Sequence, residues 1–581
     1  MKSTDKRKVI IIGAGPAGMA SALALAQWNI SSIIIEKETS PGRHPKAHEI
    51  SGRTIEILNQ LGIKEADLVK EASDQNVASS ISFGISAREP LAEINLKSSQ
   101  PGNLNSFFYC DNPYLNISQT EVERVMRSVL KESKKITLLT GHEFLELSQS
   151  ADDISVTVKT PSGRQIEIMG TYLLCCDGAT SLSRKQLGIK MTGPTKIQDF
   201  MNVFFTNNLK EKLQKKSKLY FIFKPSAAGT FIAHHPERRW VYHFPLIDGF
   251  ERREDFSHED LKDRIKSALD LPDFEPEITS VSSWRMTAQV AEKFRAGRAF
   301  LVGDCAHRFP PTGGLGLNSG VADAHNLAFK MAMMMRNLAP PGILDSYEQE
   351  RRPVIEFNCQ ASKENFEKLF EVPRAMGLSM TAFRLIVKAT RVTGLKMQKR
   401  ILLALRRFAD RKVQRTINSE KKRQSIEKAV NRQRGHFDRI GIELGYSYQS
   451  GYLSRQAEKE TSTPGLTYEF NFSAGSRLPN ITKNGESLFK KGIYQKFMLV
   501  SIESSKKLFG SIDAGGLIET VILPPVIELG EKKYKREGLA KKYQLDYLLV
   551  RPDHHIAATG REEVEKFLSH LVNLNSVKRA S

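Results

Sequence analysis

Val9-Ile-Ile-Ile-Gly-Ala-Gly-Pro-Ala-Gly18 runs an apolar stretch straight into G-x-G-x-x-G. A short apolar run that stops at glycine reads as a buried parallel strand. Residues 19–27 are rich in alanine and leucine and favour a helix, and a second apolar run, 33–35, leads into Glu36. Gly13 permits the tight strand-to-helix turn, Gly15 lets backbone approach a pyrophosphate, and Gly18 lets helix and strand pack closely. Ala14, Pro16 and Ala17 complete a loop whose free N–H groups and helix dipole favour phosphate. Glu36, 18 residues beyond Gly18, is placed to accept hydrogen bonds from ribose hydroxyls. Strand, turn, helix, strand and terminal acid together predict an α/β, Rossmann-type dinucleotide unit. At this point FAD and NAD are equally good occupants.

The rest of the chain bounds the answer. With 581 residues, one hydrophobic core is too few, and several domains are expected. A hydrophobic content of 40% and a mean hydropathy of −0.35 describe a globular protein. Lys2, Lys6, Arg7 and Lys8 before an apolar stretch imitate a secretory signal, but Gly13, Gly15, Pro16 and Gly18 break its middle. Cys110, Cys175, Cys176, Cys305 and Cys359 include no C-x-x-C pair, so neither a metal site nor a disulfide framework is expected, and a cytoplasmic location fits. The net charge of +21 is concentrated: residues 374–434 hold 18 Lys or Arg against three acids. That segment lacks interleaved aromatics and any nucleic-acid motif, so no nucleic acid is expected as partner.

Residues 299–302 form another short apolar run, ending in Gly303-Asp304. An aspartate at a strand's C-terminal end is well placed to bind a polyol hydroxyl. Pro310 and Pro311 stiffen the loop that follows, and Gly313, Gly314 and Gly316 leave room for a flat ring against backbone. A helical pattern over 321–335 aims its N-terminal dipole at that ring, where it stabilises an anionic reduced flavin.

Here the chain resembles a known family. GDCAHRFPPTGGLGLNSGVADAHNLAFKMA (303–332) looks like the signature of the single-component, group A, FAD-dependent aromatic hydroxylases, the phenol, chlorophenol and aromatic-polyketide branch. WRMTAQVAEKFRAGR (284–298), YLLCCDGATSLSRKQLG (172–188) with its Asp177-Gly178 pair, HPKAHEISGRTIEILNQLGI (44–63) and ISQTEVERVM (117–126) are similar to further motifs of that family, in the same order. The resemblance implies a glutathione-reductase-like FAD domain (1–80, 115–190, 283–365) interleaved with a mixed-sheet substrate domain (81–114, 191–282). A basic helical connector (366–435) and a thioredoxin-like C-terminal domain (436–581) follow. It implies non-covalent FAD contacted by Gly13, Ala14, Gly15, Pro16, Ala17, Gly18, Glu36, Lys37, Arg43, Lys46, Gln119, Asp177, Gly303, Asp304, Gly316, Leu317 and Asn318. Lys37 and Lys46 stand where many relatives carry Arg, and the two are not interchangeable at a bidentate phosphate contact; Arg43 is a compensating cation.

The implied activity is NAD(P)H- and O2-dependent hydroxylation of a phenolic or polycyclic aromatic through a flavin hydroperoxide. The resemblance also implies that NADH or NADPH docks only transiently, in agreement with the lack of a second G-x-G-x-x-G after a strand. The alternatives are another flavin oxygenation, such as Baeyer–Villiger oxidation, or a non-catalytic flavin-binding scaffold. Ionising a phenol of pKa near 10 calls for a base. His48 is the candidate, set against a purely structural role capping the helix that starts near Ser51; His234, His235 and Tyr242 stand behind it, and His307 reads as structural. Residues 397–409 are expected to place Ile401, Leu402, Leu405, Phe408 and Ala409 on one helical face and Lys399, Arg400, Arg406 and Arg407 towards the other. That face packs on the protein or, as the sharper alternative over 384–415, meets an anionic membrane. No cysteine follows Cys359, so the tail is expected to pack or to form a homodimer rather than exchange disulfides.

Overall fold

The structure is a computed structural model and describes residues 8–42, 46–97, 113–379, 389, 395–454, 468–483, 486–487, 489, 494–502, 516–529 and 532–576. Arg43 lies outside the described residues. The opening strand, Lys8–Ile12, is central in a six-stranded sheet. Ser31–Glu36 and then Ile136–Thr140 lie on one side of it. Tyr172–Cys175 and Ala299–Leu301 lie on the other, and all five strands are parallel. Their residues are apolar on consecutive positions because both faces are covered. Helix Pro16–Gln27 packs on the long helix Leu315–Met335. The first starts earlier than residue 19 because Pro16 takes the first helical position, where no N–H is missed. The second starts six residues before 321, so that Gly316 and Asn318 lie in its first turn rather than in a loop.

The second layer is a seven-stranded mixed sheet in the order Ile278–Met286, Gln198–Phe205, Arg239–Pro245, Gly229–His235, Leu219–Ile222, Ser80–Gly84, Ala92–Asn95. Only the Leu219–Ile222 and Ser80–Gly84 pair is parallel. One face buries Phe205, Phe231, Trp240, Tyr242 and Phe244 against Leu261 and Ile265 of helix His258–Leu269. The other face looks towards the nucleotide-type sheet.

The connector packs on this layer. Val413, Ile417, Ile426 and Val430 share a core with Ile81, Phe83 and Ile94. The helical face expected from the sequence is corrected here. In helix Leu395–Ile417, Leu402 is buried, whereas Phe408 is exposed and Arg406 turns inward to Glu251 at 2.8 Å.

In the tail, the four-stranded sheet runs Ile518–Ile522, Phe497–Ser501, Tyr547–Val550, Ile556–Thr559, the first pair parallel and the others antiparallel. One face of it, with Met498, Val500, Leu548 and Val550, packs in a core of the tail's own with Ile527 and Leu539, while the other face joins the main core. Phe497, Leu499, Leu549 and Val564 belong to the same apolar cluster as Val9, Ile11, Leu174 and Leu327. No helix among the described residues is long and apolar enough to cross a membrane.

Candidate active site

Two backbone features build the cradle. Gly13 adopts φ +100°, and a side chain there would meet the carbonyl oxygen of Cys176 at 2.4 Å. At Gly18 a Cβ would lie 2.0 Å from the carbonyl oxygen of Gly13, so the helix enters directly against the turn only because both residues lack one. Gly15 and Gly316 face open space, on the side where a ligand must approach. The amide of Ala14 donates to Glu36 Oε2 at 2.7 Å, which folds the acid over the loop at the end of its strand.

From this cradle a continuous cleft of about 2150 Å³ runs to the seven-stranded sheet and the connector. Residues 13–17, Glu36, Lys37, Lys46, Gln119 and Asp177 line one end, and Gly303, Asp304, Gly316 and Leu317 line the middle. Lys37 is exposed, with Glu38 at 3.9 Å, and Lys46 is exposed as well. Gln119 opens helix Gln119–Glu132; its Nε2 donates to Glu123 at 2.8 Å, and its Oε1 accepts from the Ala47 amide at 3.4 Å. Asp177 accepts from the hydroxyls of Ser181 and Ser183 at 2.7 and 2.8 Å and from the Ser183 amide at 3.0 Å. Its carboxylate therefore fixes the turn after its strand.

Asn318 lies in the first turn of helix Leu315–Met335, and its side chain is used within the fold: Oδ1 accepts from the Ser51 amide at 2.9 Å and the Thr54 hydroxyl at 2.6 Å, while Nδ2 donates to Gly314 O at 2.7 Å. It clasps the first turn of its helix to the 49–54 segment. The sequence motif carried its position but not this use of its side chain.

The far wall follows the two-residue period of strands. Thr230, Ile232 and His234 face the cleft, as do Val241 and His243, with Phe200 and Trp284 stacked beside them at 5.1 Å. Tyr242 is corrected by the same alternation. It points into the opposite core and donates to Ala227 O at 2.7 Å. His235 does not line the cleft, and His307 is buried against Asp323 at 2.6 Å, as a structural residue should be.

His48 opens on the cleft between the cradle and this wall. It is not the helix cap, because Ser51 does that work, accepting from the Thr54 amide. His48 Nδ1 lies 3.0 Å from Asn116 Oδ1. Asn116 Nδ2 donates to Ala233 O at 2.8 Å and to Ser73 at 2.7 Å. A carbonyl only accepts, so the amide orientation is fixed and Nδ1 must carry the proton. Nε2 is left as the basic nitrogen. Burial lowers the His48 pKa, against the pull of Glu49, and Lys218 and Arg439 lower it further. The ring is thus neutral at neutral pH.

Sequence reading missed several residues. Asn116 orients His48. Lys218 and Arg439 both pair with buried Glu49, and Arg439 also donates to Gly313 O. Arg439 and His436 come from the start of the segment read as tail, yet they line the cleft beside the glycine loop. Arg127 lines the cradle end, 3.5 Å from Ala14 O, with its Nε unpartnered among the described residues. Its place on helix Gln119–Glu132, two turns beyond Gln119, was the available signal. It adds a further cation to the cradle end of the cleft.

The open glycine faces, the orphaned Arg127 Nε and the acid at the strand end fit a dinucleotide, and the glycine loop at 313–316 would leave room for its flat ring. Asp304 makes no side-chain hydrogen bond among the described residues, so Asp304→Ala should leave the fold intact. It should weaken FAD retention by about 1.5–3 kcal/mol, the usual worth of a hydrogen bond to a charged group. Flavin content after gel filtration and thermal unfolding of the apoprotein check both halves.

The chain shares 30% identity over 361 residues with aklavinone 12-hydroxylase of Streptomyces purpurascens, covering 60% of this chain and 66% of that protein, a little under two thirds of its length. It shares 24% identity with 2,4-dichlorophenol 6-monooxygenase of Delftia acidovorans, covering 94% of each. Among solved structures, the flavin-dependent monooxygenase PieE in complex with FAD and substrate superposes with a TM-score of 0.81 at 25% identity, covering 98% of this chain and all of that one. Residues 6–362 match the family described as FAD binding domain. That match spans more than half of the chain, so the protein belongs to the FAD-binding-domain family, alongside FAD-dependent aromatic hydroxylases, and FAD is its cofactor.

Proposed function

We propose that the protein is an NAD(P)H- and O2-dependent monooxygenase that hydroxylates a phenolic or polycyclic aromatic substrate. One observation carries the proposal: the FAD cradle and an aromatic-walled chamber are two ends of one cleft, with an oriented neutral histidine between them. FAD supplies hydride acceptance and oxygen activation. The remaining work falls to the chain. Residues 13–17, Glu36, Arg127 and Asp304 hold the dinucleotide, and the first turn of helix Leu315–Met335 turns its positive end to the ring. Phe200, Trp284, Ile232 and Val241 seat an aromatic substrate and exclude water. His48 Nε2 takes the phenolic proton, and the cations of Lys218 and Arg439 favour the phenolate left behind.

Flavin reduction by NADH or NADPH is expected to be slow alone and to accelerate when a hydroxylatable aromatic binds. With no second dinucleotide-binding motif in the sequence, substrate biases the flavin's exposure through differential affinity. Stopped-flow reduction across a phenol and polyketide panel, with mass spectrometry of products, tests this. Reduction indifferent to every aromatic supports another flavin chemistry, and no reduction at all supports a scaffold.

We also read the tail as thioredoxin-like, on its strand order and directions. With no cysteine after Cys359, its role is packing.

A further inference from the structure

Helix Leu395–Ile417 has its chemistry inverted. On the inner side, Leu402, Val413 and Ile417 are buried, but so, nearly, is Arg406, which needs Glu251 at 2.8 Å to hold it there. On the outer side, Phe408 is 70% exposed, Leu403 53% and Met397 51%. Arg400, Arg407, Arg411 and Arg415 are exposed among them. At about 100° per residue these seven side chains fall within an arc of about 140°. Single exposed apolar residues are ordinary. Three large ones interleaved with four arginines on one helix, while another arginine is turned inward, call for something outside the chain. The position is as telling as the composition, because Leu405, Arg406, Phe408 and Lys412 form the rim of the substrate cleft.

We propose that this face docks on a membrane surface rich in anionic phospholipid, with the cleft mouth against the bilayer, so that a lipophilic aromatic substrate enters from the lipid. Met397, Leu403 and Phe408 reach the acyl boundary, and the four arginines meet phosphate. This is the pattern of a helix lying in the interface plane: an apolar stripe, a basic remainder and low net hydrophobicity. Charge complementarity favours phospholipid: residues 374–434 hold 18 basic side chains against three acids. Attachment is peripheral, since no helix among the described residues is long and apolar enough to span. The docking stands on the helix alone, whereas the delivery of substrate rests on the hydroxylase reading above.

The flavin-loaded full chain should co-sediment with phosphatidylcholine vesicles containing phosphatidylglycerol, stay in solution with phosphatidylcholine alone, and be released by salt. Each basic side chain near such a surface is worth about fivefold. Arg407→Glu with Arg411→Glu should therefore weaken binding by at least about 25-fold. Met397→Ser with Leu403→Ser should weaken it independently of salt. A wild type that ignores anionic vesicles, variants that bind as wild type, or tighter retention on duplex DNA than on vesicles would each overturn the docking. For delivery, the Arg407→Glu/Arg411→Glu variant should lose turnover of a phenol loaded in the vesicles while keeping that of a water-soluble phenol. Equal loss on both overturns delivery. Intact vesicle binding with no phenol turned over by any form leaves docking supported and brings down the hydroxylase reading instead.

Discussion

Arg551→Met is expected to lower the stability of the folded protein by about 3–5 kcal/mol, the cost of leaving a buried charge without its partner. Against a typical total of about 5–15 kcal/mol, that is a large fraction of the stability. Arg551 lies between the tail and the FAD domain, fully buried. Its two terminal nitrogens hold both oxygens of Glu350 at 2.8 and 2.7 Å, and Nε reaches Asp553 at 2.9 Å. Glu350 also receives Lys330 at 2.7 Å and Asn326 at 2.7 Å. Two cations, Arg551 and Lys330, balance two anions, Glu350 and Asp553. Burial alone would push the Glu350 carboxyl up, but Arg551 and Lys330 pull it down to about 2.

The sign of the pH dependence follows. In the wild type the Glu350 carboxylate contributes stability above its unfolded pKa of about 4.3, and this is lost as pH falls towards about 2. In Arg551→Met the carboxylates gain by protonation, so the deficit is largest near neutrality and narrows in acid. Restoring charge balance with Glu350→Gln on top should recover part of the loss. Denaturant unfolding of the four forms of this cycle, at neutral and acid pH, measures all three statements. A loss below about 1 kcal/mol, typical of an exposed pair, would falsify the anchoring role.

How much of this was readable beforehand depends on the kind of signal. The cradle was legible because Gly13, Gly18 and Glu36 answer to backbone geometry, and local spacing states that geometry. Tyr242 was misplaced because Arg239–Pro245 alternates faces, and which face meets the cleft depends on the second sheet. Phe408 and Arg406 were misplaced because a helical period gives a stripe and not what covers it. Arg439 and Arg551 were invisible as site and anchor for a simpler reason. Their partners Glu49 and Glu350 lie 390 and 201 residues away, and no local pattern encodes such a pair. The Asn116 contact to His48, across 68 residues, is of the same kind.

That contact underlies the other large effect. His48→Ala is expected to lower turnover of a phenol at neutral pH by about 10²–10⁴-fold, the range of general-base catalysis, with FAD content unchanged. The dependence on pH separates a base from a spacer. In the wild type burial holds His48 below its ordinary pKa, so the basic form is already present at neutrality and turnover stays level as pH rises. It falls only when acid protonates Nε2. In the variant, substrate must arrive ionised, so turnover should climb about tenfold per unit until pH nears about 10, the phenol's own pKa. The gap therefore closes from the alkaline side. Asn116→Leu provides the finer test, because it leaves the imidazole in place and removes the acceptor that fixes the Nδ1 proton. The tautomer is then free, and turnover should fall by less than in His48→Ala with the wild-type shape of the pH profile retained. Profiles that rise in parallel for wild type and His48→Ala would return the histidine to a structural role and pass the proton to another group on the wall.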